Sequence, residues 1–256
     1  MIRGFKILEH MESIMSFPGE NLPLRDRIRN RMSRVLKQQR TRWRFGNHLY
    51  LETRDFCSGL GDSAWLLYGL TRSLKPRVCV ETGSAQGKSA CYVGMALKDN
   101  GQGKLYAIDP HTKTDWNDWY SVDTLDAFNR NIRKAGVSQY VELLRGTTAD
   151  IAPGWNQEID LLFIDGDHSY EGVRFDWETF SKYLTDFSIT VFHDTTYELR
   201  SDYDSKSSKM GVARLVEELR AEGYPVMTIN QDFGVSILQA TKGGIRLSNI
   251  SGSASA

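Results

Sequence analysis

The sequence predicts an α/β fold with a doubly wound, mostly parallel sheet of seven strands, and three observations lead to that prediction. Apolar, β-branched runs alternate with segments of helical periodicity from Val78 onward, which is the pattern of parallel strands joined by helices. The apolar run Ile159–Ile164 is typical of a strand that is buried on both faces. Two strand-like runs, Pro225–Ile229 and Gly234–Ala240, are close enough to form a hairpin, which adds an antiparallel C-terminal edge.

The chain is expected to have three parts: an N-terminal helical extension (residues 1–61), the α/β domain (62–242) and a flexible tail (243–256). Met1–Met15 is predicted to be a short amphipathic helix. Leu24–Arg44 is densely basic, and its apolar residues recur at helical spacing. Its charged face is open to three interpretations: a solvated surface, a contact with a neighbouring subunit or a contact with an acidic partner. Exposed N-terminal helices favour a homodimer or a higher homo-oligomer.

Within the domain, helices and strands are expected to alternate. The expected helices are Asp62–Leu74, Lys88–Lys98, Val122–Ala135, Val173–Leu184 and Val212–Glu222. The expected strands begin at Val78 and continue with Lys104–Ile108, Tyr140–Leu144, Ile159–Ile164 and Ser188–Phe192. The aromatic stretch His111–Ser121 and the polar stretch Thr195–Met210 are expected to be loops beside the ligand site.

The composition argues against several classes of function. The formal net charge is zero, so no overall positive field favours a nucleic acid as partner. No segment approaches the roughly 20 apolar residues of a membrane-spanning helix, and the N-terminus lacks the pattern of a signal peptide. Cys57, Cys79 and Cys91 have no metal-binding spacing and are expected to be reduced thiols. A cytoplasmic protein is therefore expected.

The stretch Val78–Ser89, VCVETGSAQGKS, has the pattern of a strand, a glycine-containing turn and a helix. Glycine lets the backbone approach a ligand, and the helix that follows offers unpaired N–H groups. Only three residues separate the two glycines, which excludes a P-loop, and Ala85 replaces the second glycine of a dinucleotide-binding fingerprint. The acid Glu81 remains before the turn, and Asp109, after the next strand, suits a ribose diol. We interpret the turn as a nucleotide-type cofactor site.

A second cluster of polar residues follows two later strands, in the sequences IDGDHSY and VFHDT. Ligands of open α/β sheets bind beyond the carboxyl ends of the strands, so these residues are expected to converge. Asp165, His193 and Asp194 would then offer two carboxylates and an imidazole to a divalent cation. In the alternative interpretation, Asp167 caps the following helix and His168 is a hydrogen-bonded core residue.

These motifs resemble those of class I S-adenosylmethionine-dependent methyltransferases, above all the metal-dependent O-methyltransferases of the catechol and antibiotic-sugar types. The resemblance spans about Arg77–Ala240. It implies a Rossmann-like methyltransferase fold, S-adenosylmethionine as cofactor and a small-molecule acceptor such as a natural product, a sugar or a phenol.

The resemblance also implies roles for individual residues. The cofactor-binding residues fall on Glu81, Gly83, Ser84, Gly87, Ser89, Asp109, Thr148 and Asp165, with Gly146 in the turn near the adenine. The metal ligands fall on Asp165, His193 and Asp194, and the general base falls on His168. The imidazole of His193 departs from the family pattern of oxygen ligands, which leaves Mg²⁺, Mn²⁺, another transition ion or no metal open. A role for His193 behind the metal ligands or in contact with the substrate explains this residue equally well.

The implied chemistry is an in-line displacement at the sulfonium methyl by an acceptor hydroxyl. A cation on Asp165 and Asp194 would lower the pKa of the hydroxyl, and His168 would take the proton. Asp167 is the reserve candidate, either as the base or as the partner that orients His168. Two alternatives stay open: a metal-independent methyltransferase acting on nitrogen or a carboxylate, and a catalytically inactive cofactor-binding subunit. The motifs leave the acceptor undefined.

Overall fold

The structure, a computed structural model, describes residues 48–54, 56–112, 124–197 and 209–241. The chain divides into two compact units, Met1–Leu49 and Tyr50–Ala256, and the second unit contains the α/β domain. The helices predicted in residues 1–44, the tail from residue 243 and most of the two predicted loops lie outside the described residues.

Within the described residues, seven strands alternate with helices as the sequence predicts. The strands are β1 (Val78–Thr82), β2 (Lys104–Ile108), β3 (Val141–Leu144), β4 (Ile159–Ile164), β5 (Leu184–His193), β6 (Val226–Ile229) and β7 (Val235–Gln239). The α-helices are α1 (His48–Thr53), α2 (Ala64–Leu74), α3 (Lys88–Asn100), α4 (Leu125–Ala135), α5 (Thr148–Ile151), α6 (Tyr170–Phe180) and α7 (Val212–Ala221). Short 3₁₀ turns cover Gly61–Ser63, Ala152–Gly154 and Ser181–Tyr183.

The strands form one sheet in the order β3-β2-β1-β4-β5-β7-β6. Strands β1 to β5 pair in parallel, whereas β7 is antiparallel to both β5 and β6. The predicted fold, including its antiparallel C-terminal hairpin, is thereby confirmed. The chain runs outward from β1 in one direction and from β4 in the other, so the crevice between β1 and β4 is where a ligand is expected.

The helices cover both faces of the sheet because side chains along β1 alternate between two apolar layers. Cys79 packs in a layer with residues of α2, α3 and α4, and its neighbour Val80 packs in a layer with residues of α6 and α7. Both side chains are fully buried. A strand buried on both faces reads as a continuous apolar run, which is why the sequence signal of the central strands was strong.

Several element boundaries differ from the sequence prediction. Helix α6 begins at Tyr170 rather than Val173, because the Ser169 hydroxyl accepts a hydrogen bond from the Gly172 amide and caps the helix. Residues 50–61, which were assigned to the extension, belong to the second compact unit. Their apolar residues Leu51, Phe56 and Leu60 are buried in the core.

Two expectations from the composition can be compared with the structure. Cys79 and Cys91 are buried and Cys57 is exposed, and none of the three forms a disulfide, as expected for reduced cysteines. None of the helices in the described part of the chain has the length and apolar composition of a membrane span.

Candidate active site

A cavity of about 830 Å³ lies at the carboxyl ends of the central strands. The predicted site residues that line it are Gly83, Ser84, Ser89, Asp109, Thr148, Asp165, Asp167, His168, His193 and Asp194. Glu81 and Gly87 are not among its lining residues. The turn after β1 and the polar clusters after β4 and β5 therefore share one pocket, as the strand-end argument predicts.

The turn after β1 needs glycine at two positions. Gly83 has a φ of +81°, and a Cβ atom there would lie 2.2 Å from the carbonyl oxygen of Asp165. Gly87 has a φ of +84°, and its Cβ atom would lie 2.9 Å from the ring of Phe128. Both the left-handed backbone and the close approach exclude a side chain. The first contact also brings the backbone of the turn directly against the loop after β4.

Asp109 holds this turn in place through its carboxylate. Oδ2 accepts hydrogen bonds from the amides of Ser84 and Ala85, each at 2.8 Å, and Oδ1 accepts one from the amide of His111 at 2.6 Å. A carboxylate has about four lone-pair positions, so it can still accept from a ligand hydroxyl. Asp109 thus combines a backbone contact that the sequence did not predict with the predicted place beside the cavity.

Two polar groups are buried beneath the turn. The hydroxyl of Ser84 has no hydrogen bond among the described residues, and the carboxyl of Glu81 has only the Ser89 hydroxyl close to it. Burial raises the pKa of Glu81 to about 8, the Ser89 hydroxyl opposes this shift, and Asp165 and Asp109 add to it. Buried polar atoms are normally paired, so the Ser84 hydroxyl fits a ligand that brings its own hydrogen-bonding group.

The predicted adenine-side residue Thr148 is engaged with an acid that the sequence analysis missed. Its hydroxyl donates to Oδ1 of Asp176 at 2.6 Å, and both residues line the cavity. Asp176 is buried, and burial raises its pKa, although the Thr148 hydroxyl opposes the shift. An acid on the buried face of α6, next to Val173 and Trp177, was the signal that could have identified it.

Asp165, His168 and Asp194 form a group whose potential ligand atoms all lie within 4.8 Å of one another. Nε2 of His168 is 3.4 Å from Oδ1 of Asp165, and Nδ1 is 3.3 Å from Oδ2 of Asp194. The imidazole of His168 therefore bridges the two carboxylates. Asp194 has a φ of +59°, which is uncommon outside glycine and typical of residues held in place for function.

The acids and histidines of this group shift one another's pKa values. Burial lowers the pKa of His168, but the carboxylates of Asp194 and Asp165 outweigh burial and bring it above its usual value. Burial raises the pKa of Asp165, but His193 and His168 outweigh burial and hold it below its usual value. Burial keeps the pKa of Asp194 raised, although both histidines oppose the shift. Two imidazoles thus face the two acids, and each raises or lowers the pKa of its neighbours.

His193 does not join the group of potential ligands, although the sequence prediction chose it as a metal ligand. Its Nδ1 lies 3.0 Å from Oδ1 of Asp165, and its Nε2 lies 2.8 Å from the backbone oxygen of Asp232. Burial lowers the pKa of His193, but Asp165, Asp194 and the Asp232 carbonyl outweigh burial and raise it to about 10. Both ring nitrogens of His193 thus have partners within the protein, and its role as a metal ligand stays a prediction.

Asp167 has the helix-terminal contacts of the alternative interpretation and also lines the cavity. Its Oδ1 accepts a hydrogen bond from the amide of Ser169 at 2.9 Å, just before α6. A Cβ atom on Gly172 would lie 2.2 Å from its carboxyl carbon, so the side chain packs over the first turn of that helix. Its role as a reserve base stays a prediction.

An aromatic wall of Tyr197 and Phe233 borders the cavity next to this group. The two ring centroids are 5.2 Å apart with the planes tilted by 30°. A Cβ atom on Gly59 would lie 3.2 Å from the ring of Phe233, so the backbone of that segment packs flat against the ring. The sequence analysis missed this wall, because residues 56–60 and the turn between β6 and β7 carry no periodic signal.

Part of the chain matches the model of a known protein family. Residues 80–195 match the family model Methyltransf_24, a methyltransferase domain. A curated protein of Sinorhizobium fredii (strain NBRC 101917 / NGR234), described as the uncharacterized protein y4gI, is 31% identical over 143 residues. That similarity covers 52% of this chain and 15% of the relative, so the chain spans a small part of the relative's length.

Three solved structures are similar in fold. The O-methyltransferase TomG of Streptomyces achromogenes, in complex with S-adenosylmethionine, has a TM-score of 0.53 at 21% identity and covers 70% of this chain and 79% of its own. An O-methyltransferase of Bacillus cereus has a TM-score of 0.54 at 15% identity, with coverage of 93% and 100%. A caffeoyl-CoA O-methyltransferase-like protein of Staphylococcus aureus has 0.54 at 15%, with coverage of 69% and 81%. At such low identity the similarities establish the fold alone.

Proposed function

We propose that the chain is a class I S-adenosylmethionine-dependent methyltransferase that moves a methyl group to a hydroxyl of a small molecule, assisted by a divalent cation and by His168; the match of residues 80–195 to a methyltransferase domain supports this. The observation that carries the proposal is the shared cavity, which joins the glycine turn to the group Asp165, His168 and Asp194. A donor held at the turn would present its methyl group towards that group. Solved relatives described as O-methyltransferases support oxygen as the acceptor atom.

The polar atoms around the turn fit S-adenosylmethionine as the donor. The donor has ribose hydroxyls, and Asp109 offers them its remaining acceptor positions at the edge of the cavity. Glu81 lies beneath the turn, outside the lining of the cavity, where it would support the turn rather than contact the donor. Gly83 leaves the space in which the backbone can approach the ligand.

The acid group fits a divalent cation by its donor set. Asp165 and Asp194 would hold the ion through carboxylate oxygens, which suits Mg²⁺ or Mn²⁺, while His168 would stay outside the ligand set as the base. When bound, the cation would supply Lewis acidity that lowers the pKa of the acceptor hydroxyl. The cation would also offset part of the carboxylate charge beside His168 and so lower the pKa of its imidazole, which favours proton acceptance.

The proposed step transfers the methyl group to the acceptor oxygen and the hydroxyl proton to His168. The acceptor oxygen attacks the methyl carbon of the donor, the carbon–sulfur bond breaks, and its electron pair stays on sulfur. His168 takes the hydroxyl proton, so the products are a methyl ether, S-adenosylhomocysteine and an imidazolium. Asp165 and Asp194 flank the imidazole and stabilise the charge that it gains.

A metal-independent transfer is the second candidate, and one observation favours it. His168 bridges both carboxylates through its two ring nitrogens, so it satisfies their charge without any ion. In that case His168 would act as the base alone, and nitrogen or carboxylate acceptors would also be open to the site. Assembly through the N-terminal helices and a cytoplasmic location stay predictions.

Calorimetry with S-adenosylmethionine, with and without Mn²⁺ or Mg²⁺, tests the proposal. We expect donor binding in every condition and a separate signal from Mn²⁺ that Asp194→Ala abolishes. Absence of donor binding at any metal concentration would remove the enzymatic function. Full turnover of Asp194→Ala in the presence of a chelator would favour the metal-independent route.

A further inference from the structure

We infer that His193 and Asp232 are positioning residues, which hold the carboxylate of Asp165 in place through a hydrogen-bonded chain that begins at Ser63. The role assigned to this series of hydrogen bonds rests on the proposed function. The hydrogen bonds themselves are a feature of the structure. It assigns to His193 a role other than metal binding, and it adds a residue that the sequence analysis did not consider.

Four hydrogen bonds make up this connection, two of which run in parallel from Ser63 to Asp232. The amide and the hydroxyl of Ser63 each donate to Oδ2 of Asp232 at 2.8 Å. Nε2 of His193 donates to the backbone oxygen of Asp232 at 2.8 Å, and Nδ1 of His193 lies 3.0 Å from Oδ1 of Asp165. The chain thus runs from the 3₁₀ turn before α2, through the turn between β6 and β7, to the tip of β4.

The backbone at Asp232 has an unusual conformation that allows its contacts with both His193 and Ser63. Asp232, Phe233 and Gly234 follow one another with φ values of +50°, +69° and +92°. Left-handed conformations are costly for the first two residues, so the surrounding contacts must maintain them. In this conformation the carbonyl of Asp232 meets His193 while its side chain meets Ser63.

The packing around the chain leaves little freedom for rearrangement. The side chain of His193 is only 3% exposed, so water cannot readily replace its two partners. A Cβ atom on Gly61 would lie 2.2 Å from Oδ1 of Asp232, which shows how closely the carboxylate sits against the 3₁₀ turn. Both His193 and His168 approach Oδ1 of Asp165, which leaves Oδ2 without an imidazole partner.

The same turn also carries the aromatic wall of the cavity. Phe233 follows Asp232 directly, and its carbonyl accepts a hydrogen bond from the amide of Thr196 at 2.9 Å. Asp232 therefore sets the position of a residue that borders the acceptor and, through His193, the position of a residue that would hold the cation. Partners that orient metal ligands typically contribute 10–100-fold to metal affinity.

Two substitutions of His193 separate its two hydrogen bonds. The amide nitrogen of His193→Asn can replace Nδ1 and keep the contact with Asp165, whereas that of His193→Gln can replace Nε2 and keep the contact with Asp232. The measurement is Mn²⁺ affinity, from the paramagnetic resonance of the free ion, together with S-adenosylmethionine affinity from calorimetry. We expect His193→Gln to weaken Mn²⁺ binding at least about 10-fold, with donor affinity unchanged within a factor of about two.

Variants of Asp232 test the distant part of the chain. Asp232→Ala removes the acceptor of Ser63 and is expected to weaken Mn²⁺ binding by a smaller factor, whereas Asp232→Asn keeps an oxygen acceptor and is expected to restore it. Thr228→Val is the matched control, because it removes a hydrogen bond of 2.8 Å to Ser236 within the same hairpin. A general loosening of the hairpin would affect Thr228→Val as much as Asp232→Ala, and that result would overturn the inference.

The inference is also overturned if folded His193→Gln binds Mn²⁺ with the affinity of the wild-type protein. If the wild-type protein binds no Mn²⁺, the cation is lost from the proposed function, and crystal structures decide on the positioning. A carboxylate of Asp165 that turns away in His193→Gln and stays in place in His193→Asn would support the inference. An unchanged Asp165 in both variants would reject it.

Discussion

The two sides of the cavity stabilise their acids in opposite ways. At the glycine turn, Asp109 accepts hydrogen bonds from three backbone amides, and Glu81 is buried beneath the turn. At the tips of β4 and β5, Asp165 and Asp194 face the imidazoles of two histidines. The first side uses backbone donors, whereas the second pairs carboxylates with titratable side chains.

This difference indicates which side carries the chemistry. Backbone donors fix a geometry that does not change with protonation, which suits the binding of a donor molecule whose structure is constant. Imidazole–carboxylate pairs can exchange protons and release a carboxylate to a cation, which suits the acceptor side. Substitutions on the two sides should therefore affect different measurements.

The largest effect is expected from His168→Ala. Loss of a positioned general base should reduce turnover about 10²–10⁴-fold, while S-adenosylmethionine affinity stays unchanged, because the glycine turn is intact. The measurement is release of S-adenosylhomocysteine with a panel of phenolic and sugar acceptors. Asp167→Asn decides between the two candidate bases: a loss as large as that of His168→Ala would transfer the role to Asp167.

Gly83→Ala should have the largest effect on the donor side. Its Cβ atom would lie 2.2 Å from the Asp165 carbonyl oxygen in a left-handed backbone, so we expect a loss of about 3 kcal/mol or more in the free energy of unfolding, and loss of donor binding. Gly101→Ala is the control, since Gly101 also has a positive φ, +71°, but no neighbouring atom within 4 Å. It should lose only about 1–2 kcal/mol in urea unfolding.

Glu81→Gln tests the raised pKa of Glu81 through the pH dependence of the free energy of unfolding. Because the pKa of Glu81 is raised to about 8, the native state keeps a proton above the usual pKa of 4.5 that the unfolded state releases. The free energy of unfolding should therefore fall as the pH rises through this window, at most by about 1.4 kcal/mol per pH unit.

Urea unfolding between pH 5.5 and pH 8.5, without ligand, would measure the slope. Glu81→Gln should flatten it, whereas Glu142→Gln, at a half-exposed side chain on β3, should leave it in place. An equally steep slope in Glu81→Gln would show that other groups cause the pH dependence.

Thr148→Val should have the smallest effect of the four. It removes the hydroxyl that donates to the buried Asp176 and leaves an acid without that donor, at a cost of about 1–3 kcal/mol in the free energy of unfolding. Thr148→Ser keeps a hydroxyl and should recover most of the loss. Thermal or urea unfolding of the two variants measures the difference.

Much of the fold could be predicted from the sequence because it follows from short-range patterns. The bounds of β2 and β4 agree with the prediction at both ends, since short, mostly apolar runs between turns and helices have a strong signal. The convergence of Asp109 and Asp165 on one cavity follows from the rule for strand ends. Helix α5 was missed because its four residues are too few for a periodic signal.

The roles within the acid group could not be predicted in the same way. The sequence identifies His168 and His193 as residues at strand tips, but the number of free ring nitrogens depends on distant partners. The carbonyl that accepts the hydrogen bond from Nε2 of His193 belongs to Asp232, which is 39 positions further along the chain. A backbone carbonyl is present at every residue, so no residue type marks it in the sequence.

The close backbone contact between Gly83 and the carbonyl of Asp165 has a thermodynamic consequence for the cavity. Any shift of the first turn on loading with the methyl donor must also displace the segment that bears an acid of the opposite side. In the proposed function the two occupancies would therefore share a coupling free energy, and linkage would make that coupling reciprocal: whatever factor the donor imposes on cation affinity, the cation would impose on donor affinity.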